Sequence, residues 1–466
     1  MRSKDEEPYA SVIIPTHDRH ATLPLAVESV LRQSVDNIEV IIAGDGCTPS
    51  VREVAQGLAG QHRCVRFLDL PKAPFRGAAN RDIAVRAALA PRIFYSDDDD
   101  LLLPHHVEVL GRELDDCEVI DTPAVSVLPE GRIEIGLHDS SNPLLKRMLL
   151  AELYKGVFDT HFAHRKRSYV DLRGTWIGAT DHRVVLHMLK TFAAADVVWK
   201  TRHRVTALSF HGARRVAMDP SRRAAELRKW LRDIAAPGFE DAIRRSAGLG
   251  FHALRLAESL RKDGRTRSEV ATLIEATVRA ASGDGWTLEE WQAEALRAVV
   301  DLVFDRVPDE VAAARLLVDL CFPVLGPAYP ADGTVSRFAK LFPLDKLMSA
   351  LETAGDDPAL ILARFHIWRR LGQVDSGRRA RLLDDFAQMP VDARPEFGIS
   401  VASGLKAMGD LHGAWDWTSK LLDLVPESRH AVGFWKLRRS LAERLGFEPE
   451  RMHADRQATR LAASMV

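Results

Sequence analysis

The 466-residue chain has four cysteines, Cys47, Cys64, Cys117 and Cys321, far apart and without a CxxC pair. So few excludes a disulfide framework and points to a reducing compartment. Excess charge is missing too: 64 Lys and Arg stand against 65 Asp and Glu, a net charge of −1. That balance argues against a nucleic-acid partner, because a phosphate-contacting surface normally tilts the whole chain basic. No stretch approaches the roughly 18 apolar residues of a membrane span. The most apolar candidate, Leu316 to Leu325, is broken by Asp319 and Pro323. The N-terminal MRSKDEEPYA has no apolar signal-peptide core. The expectation is a cytoplasmic protein without a membrane span, at most a peripheral membrane visitor. With 46% hydrophobic and 28% charged residues, disorder is excluded and two or three domains are expected.

The neutral total conceals a local imbalance. Asp159 to Arg223 holds 13 Lys or Arg against 5 Asp and no Glu. Such a segment either meets an anionic ligand or pairs with acids elsewhere in the chain. Over the first 212 residues strand-like and helix-like patterns alternate. Ser11–Pro15, Ile38–Ile42, Val65–Leu68 and Ile93–Tyr95 read as buried strands. Leu23, Val27, Val30 and Leu31 lie on one helical face behind Thr22 and Pro24, and Val107, Leu110 and Leu114 on another behind Pro104. Alternation of this kind predicts a mainly parallel α/β sheet with ligands at the carboxyl ends of its strands. After Arg223 amphipathic helical segments dominate. Gly372, Gly409 and Gly446 recur 37 residues apart, each after a Leu or Met, with Pro390 and Pro426 between them. From about residue 355 this is either a tetratricopeptide-like series of helix pairs or an irregular bundle. Trp415, Trp417 and Trp435 would line a groove in the first case or pack between helices in either.

The strand Ile93–Tyr95 runs into Ser96 and four consecutive aspartates, Asp97 to Asp100. One or two would serve to cap the helix that follows Pro104. Four repel one another, no Lys or Arg lies within the motif, and a divalent cation such as Mg²⁺ or Mn²⁺ would relieve them.

Three segments taken together resemble glycosyltransferase family 2, whose catalytic domain has the GT-A fold. They are Ser11-Val12-Ile13-Ile14-Pro15-Thr16-His17-Asp18-Arg19, then Asp45-Gly46-Cys47-Thr48, then Tyr95-Ser96-Asp97-Asp98-Asp99-Asp100 with Pro104. The resemblance covers roughly residues 8–212. It implies that Pro15, Thr16, Asp18 and Arg19 surround the nucleotide base and ribose, and that Asp45 contacts the base. It implies that Asp97 and Asp99 hold a Mn²⁺ or Mg²⁺ ion on the nucleotide diphosphate, with Asp98 near the sugar or ribose. The family's Asp-Asp-Gly-Ser motif is altered, with Gly44 for its first aspartate and Cys47 for its serine. Its Ala-Arg-Asn segment reads Ala78-Ala79-Asn80, leaving Arg76 and Arg81 as the nearby cations.

By the same resemblance the catalytic base is an aspartate at a helix start. Thr180-Asp181-His182-Arg183 stands before Val185, Met188, Leu189 and Phe192, which makes Asp181 the candidate base; the alternative is that Asp181 or Thr180 is only the N-cap. A late histidine can add a metal ligand, and His211 is the first candidate and His203 the second. His161 and His164 lack the companions of a zinc site.

The expected architecture is therefore a GT-A domain over residues 1–212 and an all-α domain over 213–466. The expected activity is metal-dependent, inverting transfer from a nucleotide-sugar donor, UDP-linked or similar, to a hydroxyl acceptor. The acceptor, a glycan, lipid-linked or protein group, is not specified, and the helical domain is a candidate site of homo-oligomerisation. The excess of Arg over Lys, 50 to 14, is a weak hint of a bacterial surface glycan. Nucleotidyl transfer is disfavoured because His17-Asp18-Arg19-His20 has no glycine for a phosphate loop. A decayed transferase serving as a helical scaffold is the alternative that the departures at Gly44, Cys47, Ala79 and Thr180 keep open.

Overall fold

The computed structural model describes residues 7–128, 131–154, 157–173, 175–181, 183–210, 215, 218–304, 335, 343–352, 358–389, 394–424 and 429–463. By its internal contacts the chain divides into two compact units, Met1–His211 with Pro220–Val303, and Gly212–Asp219 with Phe304–Val466.

The first unit is built on the strands β1 (Ala10–Thr16), β2 (Ile38–Asp45), β3 (Val65–Leu70) and β4 (Arg92–Tyr95). Two-residue β5 (Leu101–Leu102) is followed by β6 (Val119–Asp121), the hairpin β7 (Val125–Val127) and β8 (Ile133–Ile135), then β9 (Phe162–Arg165), β10 (Trp199–Thr201) and β11 (Ala207–Leu208). The main sheet has seven strands in the order β10-β6-β9-β4-β1-β2-β3. β3, β2, β1 and β4 are mutually parallel, whereas β9 runs antiparallel to both β4 and β6. The sheet is thus mixed and mainly parallel, with β9 the one antiparallel strand among the described residues.

Alternation explains why the first strands are so uniformly apolar. Val12 and Ile14 of β1, with Val40 and Ile42 of β2, face one core that includes Leu23, Val27 and Val51. Ile13 and Ile41 face the other core, with Tyr95, Phe162, Trp176, Met188 and Phe192. Both faces are covered, so the central positions of β1 and β2 are apolar on either side, and the polar Ser11 and Glu39 at their starts are buried and bonded to each other. The covering helices are α1 (Leu23–Leu31), α2 (Pro49–Gln61), α3 (Pro74–Ala87), α4 (His106–Glu113), α5 (Pro143–Leu150), α6 (Lys166–Asp171) and α7 (Val184–Ala194). Pro24 sits in the first turn of α1 as expected, although Thr22 makes no side-chain cap. In α7 the buried face is Val184, Met188, Leu189 and Phe192, one residue shifted at its start from the expected Val185.

Five further helices, α8 (Pro220–Asp233), α9 (Phe239–Ser246), α10 (Gly250–Lys262), α11 (Arg267–Gly283) and α12 (Glu290–Val303), belong to this unit rather than to the helical part expected to begin at 213. The reason is a set of polar ties. Gly248 exchanges backbone hydrogen bonds with Ile133 and Ile135 of β8. Arg202 pairs with Asp284 at 2.7 Å and Arg204 with Glu240 at 2.6 Å.

These pairs also answer the question raised by the basic segment. Lys200 and Arg202 meet Glu113, Lys190 meets Glu152, Arg183 meets Asp181 and Glu152, Arg167 meets Asp171, and Arg223 meets Asp99. Much of the local positive charge is therefore balanced by acids brought in by the fold.

In the second unit the described helices are Leu344–Glu352, Pro358–Arg370, Ser376–Gln388, Arg394–Ala407, Leu411–Lys420, Arg429–Leu445 and Glu448–Ala463. Pro358–Arg370 and Ser376–Gln388, Arg394–Ala407 and Leu411–Lys420, and Arg429–Leu445 and Glu448–Ala463 are joined by short turns, and the two helices of each of the last two pairs pack closely on each other. Gly372, Gly409 and Gly446 lie in the turn of each pair with φ of +67°, +86° and +74°. Left-handed backbone there is what glycine supplies without steric cost. The tryptophans are packing residues: Trp417 meets Phe386 at 5.2 Å, Trp415 lies under Arg438 at 3.9 Å, and Trp435 contacts His453 at 5.3 Å. Pro390 and Pro426 lie outside the described residues.

Candidate active site

In the sheet order, β2 and β3 lie to one side of β1, and β4 to the other. The chain reverses its direction of travel between β1 and β4, and the crevice outside their carboxyl ends is the natural ligand site of such a sheet. Two loops meet there. Thr16, the last residue of β1, donates from Oγ1 to Asp98 at 2.7 Å, and Arg19 donates to Asp98 at 2.8 Å. Arg19 also bonds Asp99. Pro15 is partly buried beside this junction, and Asp18 points outward.

The four aspartates have different surroundings. Asp98 is held by Thr16 and Arg19. Asp99, 3% exposed, lies between Arg19 and Arg223, the latter from the first turn of α8. Asp100 accepts from Thr160 Oγ1 at 2.6 Å, Ser209 Oγ at 2.8 Å and the Phe210 backbone N–H at 2.8 Å. It is a structural acid that ties β4 to the chain on either side, and burial beside Asp99 pushes its pKa up to about 7. Asp97 stands apart. Burial, then the neighbouring charges of Asp159, Asp100 and Asp99, raise its pKa well above the usual carboxylate range, and Arg81 opposes them. Repulsion by neighbouring carboxylates is thus felt at Asp97, with Arg81 as the opposing charge.

This donor set fits a divalent cation, because a carboxylate crowded by three others is stabilised when a positive charge joins it. Among the described residues no three His, Cys, Asp or Glu side chains converge to hold an ion by themselves. A cation on Asp97 and Asp99 would complete its shell with water and phosphate oxygens, as Mg²⁺ commonly does.

The second loop explains the altered motif. Asp45, at the end of β2, accepts from Lys72 Nζ at 2.9 Å, the Ala73 N–H at 2.8 Å and Asn80 Nδ2 at 2.8 Å. It thereby fixes the segment leading into α3, where Phe75, Arg76 and Gly77 have φ of 54°, 54° and 72°. Three consecutive left-handed residues are unusual and mark a strained turn at a site. At Gly44 an added Cβ would lie 2.9 Å from both Cys47 Sγ and Phe67, which leaves no room for the family's aspartate. Cys47 is buried, and burial raises its thiol pKa. Arg76 is exposed, and its carbonyl accepts from Arg81.

Beneath Asp97 lies a polar aromatic layer with no signal in the residue spacing. Arg81 sits 5.4 Å over the Trp176 ring. Trp176 Nε1 donates to Tyr95 Oη at 3.1 Å, and that hydroxyl meets His164 Nε2 at 2.8 Å. His164 stacks on Tyr169, which donates to Asp82 at 2.7 Å. His164 is thus a core residue, its pKa pushed down to about 4 by burial. His161, bonded by the Val125 N–H at 3.1 Å, is another.

Asp181 is not the N-cap of α7; Arg183 holds that position. Its carboxylate accepts from the Arg183 N–H at 2.8 Å and from the Arg183 guanidinium at 2.7 Å and 2.9 Å, within an exposed cluster that includes Glu152. His203 is bound to the His138 carbonyl and to Asp284, so it serves the packing of α11 rather than an ion. His211 lies outside the described residues.

A mixed sheet of this strand order, with an acidic turn at the switch point and helices on both faces, defines the GT-A class of nucleotide-sugar-binding folds. Residues 11–171 match the model of glycosyl transferase family 2. Chondroitin synthase of Pasteurella multocida (strain Pm70) is 34% identical over 106 residues, 23% of this chain and 11% of that protein. Validoxylamine A glucosyltransferase of Streptomyces hygroscopicus subsp. jinggangensis (strain 5008) is 29% identical over 103 residues, 22% of this chain and 24% of that one. The chain thus spans a small part of the length of these relatives. Among solved structures, S. aureus TarS 1-349 in complex with UDP-GlcNAc aligns over 85% of this chain and 92% of its own, with 12% identity and a TM-score of 0.37. The mannosyltransferase PcManGT from Pyrobaculum calidifontis, in complex with GDP-Man and Mn²⁺, covers 65% and 87%, with 15% identity and a TM-score of 0.33.

Proposed function

We propose that the chain is a metal-dependent, inverting glycosyltransferase that moves a sugar from a nucleoside-diphosphate donor, UDP-linked in the first instance, to a hydroxyl acceptor. The observation that carries this reading is the crowded carboxylate of Asp97 beside Asp99, at the switch point of the sheet. Asp97 and Asp99 would hold Mn²⁺ or Mg²⁺, which when bound offsets the charge of the departing diphosphate.

The chain's own residues supply the rest. Pro15, Thr16, Asp18, Arg19 and Asp45 shape the wall for base and ribose, and Asp98, fixed by Thr16 and Arg19, faces the donor. Arg76 and Arg81 provide positive charge on the opposite wall. Asp181 acts as general base, taking the proton of the acceptor hydroxyl as it attacks. To do so its carboxylate parts from Arg183, an exchange that an exposed ion pair permits at little cost. His211 is retained as an additional ligand candidate. The helix pairs of the second unit are read as tetratricopeptide-like, a surface for an acceptor or a second copy of the chain, in a cytoplasmic protein; among the described residues no helix is long and apolar enough to cross a membrane.

The direct experiment is titration of the full chain with UDP, GDP and their sugar conjugates in the presence and absence of Mn²⁺, followed by donor hydrolysis. Metal-dependent binding of one nucleotide with slow hydrolysis of its sugar conjugate is expected. Failure to bind or hydrolyse any of them would leave the alternative, a decayed transferase used as a scaffold.

A further inference from the structure

Asp99 has two cationic partners from distant parts of the chain, and the second is the more informative. Arg19 belongs to the loop after β1, where the nucleotide wall is expected. Arg223 comes from 124 residues downstream, from the first turn of α8, and its side chain is 13% exposed. A basic residue in the first turn of a helix opposes the helix dipole, which favours negative charge there. Arg222 and Arg223 both occupy that turn, and α8 has no acidic residue in it.

Helix α8 is held by its own contacts. Ala224, Leu227 and Leu231 are its buried face, Trp230 packs edge-on against Phe210 and Phe239, and the Leu231 carbonyl accepts from Arg32 at the end of α1. With the helix fixed in this way, the Arg223 guanidinium reaches a carboxylate that a divalent cation would also need. Two positive groups cannot share it at full strength. A cation approaching Asp99 meets the repulsion of Arg223 as well as the attraction of the carboxylates.

We propose that Arg223 is an exchanging counter-ion of the donor site. Without donor it pairs with Asp99; when nucleoside diphosphate and cation bind together, the cation takes Asp99 and Arg223 moves to the diphosphate oxygens. A guanidinium suits both partners, since its fork of donors matches carboxylate and phosphate alike. The consequence is ordered chemistry. The cation alone binds weakly because Asp99 is already neutralised, whereas cation and diphosphate together satisfy all the charges. This inference rests on the reading of the site as a donor site and adds a role for α8 to it.

The test uses the full chain, Mn²⁺ alone followed by electron paramagnetic resonance, and then UDP titrated calorimetrically at saturating Mn²⁺. Arg223→Gln removes one of the two charges that compete for Asp99 and leaves Arg19 in place. It is expected to tighten binding of Mn²⁺ alone about tenfold, since the competent form of Asp99 is no longer a minor one, and to weaken UDP at saturating Mn²⁺ by a similar factor. Arg223→Lys keeps the charge and is expected to retain weak Mn²⁺ binding, which separates charge from packing. A Gln variant with wild-type melting behaviour that fails to show both opposite shifts overturns the exchange. Wild-type chain that binds neither Mn²⁺ nor UDP overturns the donor-site reading itself, and the exchange with it.

Discussion

Gly77→Ala is a small change with a calculable effect on the site. Gly77 has φ of +72°, and a Cβ added there would lie 2.7 Å from Asp45 Cγ and 3.0 Å from its Oδ2. Two terms add. The left-handed backbone costs an L-residue about 1–2 kcal/mol. The steric term is overpacking against a buried group, about 1–3 kcal/mol. Asp45 cannot retreat freely, because Lys72, Ala73 and Asn80 all bond to it. Gly264 provides the matched control: its φ is +81°, yet nothing lies within 4 Å of an added Cβ. Gly264→Ala should therefore show the backbone term alone. Urea unfolding of the full chain should place Gly77→Ala about 1–3 kcal/mol below Gly264→Ala, and nucleotide affinity should fall in the first variant and hold in the second. Equal destabilisation of the two, with unchanged nucleotide affinity in both, would refute the claim that the close approach to Asp45 shapes the site.

Asp97→Asn should abolish Mn²⁺-dependent nucleotide binding without loss of fold, as read by calorimetry and thermal melting. Its raised pKa also fixes a sign: the folded state gains from the protonated acid below about pH 4 and loses that contribution as pH rises through the folded-state value. The Asn variant should thus melt less pH-dependently, and a wild type that gains stability over the same rise would contradict this. Asp100→Ala strips an acceptor from Thr160, Ser209 and the Phe210 N–H, and should cost about 2–4 kcal/mol in urea unfolding. Asp181→Asn should lower turnover by about 10² or more at nearly unchanged stability; near-normal transfer would move the base elsewhere.

How legible the molecule was depended on where its information lies. β1 and β2 are legible in sequence because both their faces are buried and each is a mainly apolar run ending in punctuation, and the short apolar cores of β3 and β4 stand out in the same way. β5 to β11 were not read, since each has only two to four residues and the longest among them, Phe162–Arg165, carries His164 and Arg165. A short strand with a histidine facing an aromatic layer shows no alternation to detect. Helices α8 to α12 look in sequence like those that follow, and long-range ties such as Arg202–Asp284, Arg204–Glu240 and the bonds of Gly248 to β8 group them with the sheet.

The candidate site shows the same division between local and long-range information. Four adjacent aspartates are conspicuous in sequence and read as one acidic feature, yet each has its own environment: Asp98 braces two loops, Asp100 is a buried anchor, Asp99 lies between Arg19 and Arg223, and Asp97 is crowded by Asp159, Asp100 and Asp99. What separates them is supplied from elsewhere, by Thr16 and Arg19, by Thr160 and Ser209, by Arg81 and Arg223. Gly44 makes the converse point. Seen as a letter it is a lost aspartate and weakens the case for activity. Seen with Cys47 and Phe67 at 2.9 Å from its absent Cβ, it is a position where the packing of β2 on β3 leaves only hydrogen room, while Asp45 beside it keeps a full set of donors. A departure that the surrounding fold accommodates so closely is not in itself a sign of decay, which binding and turnover measurements decide.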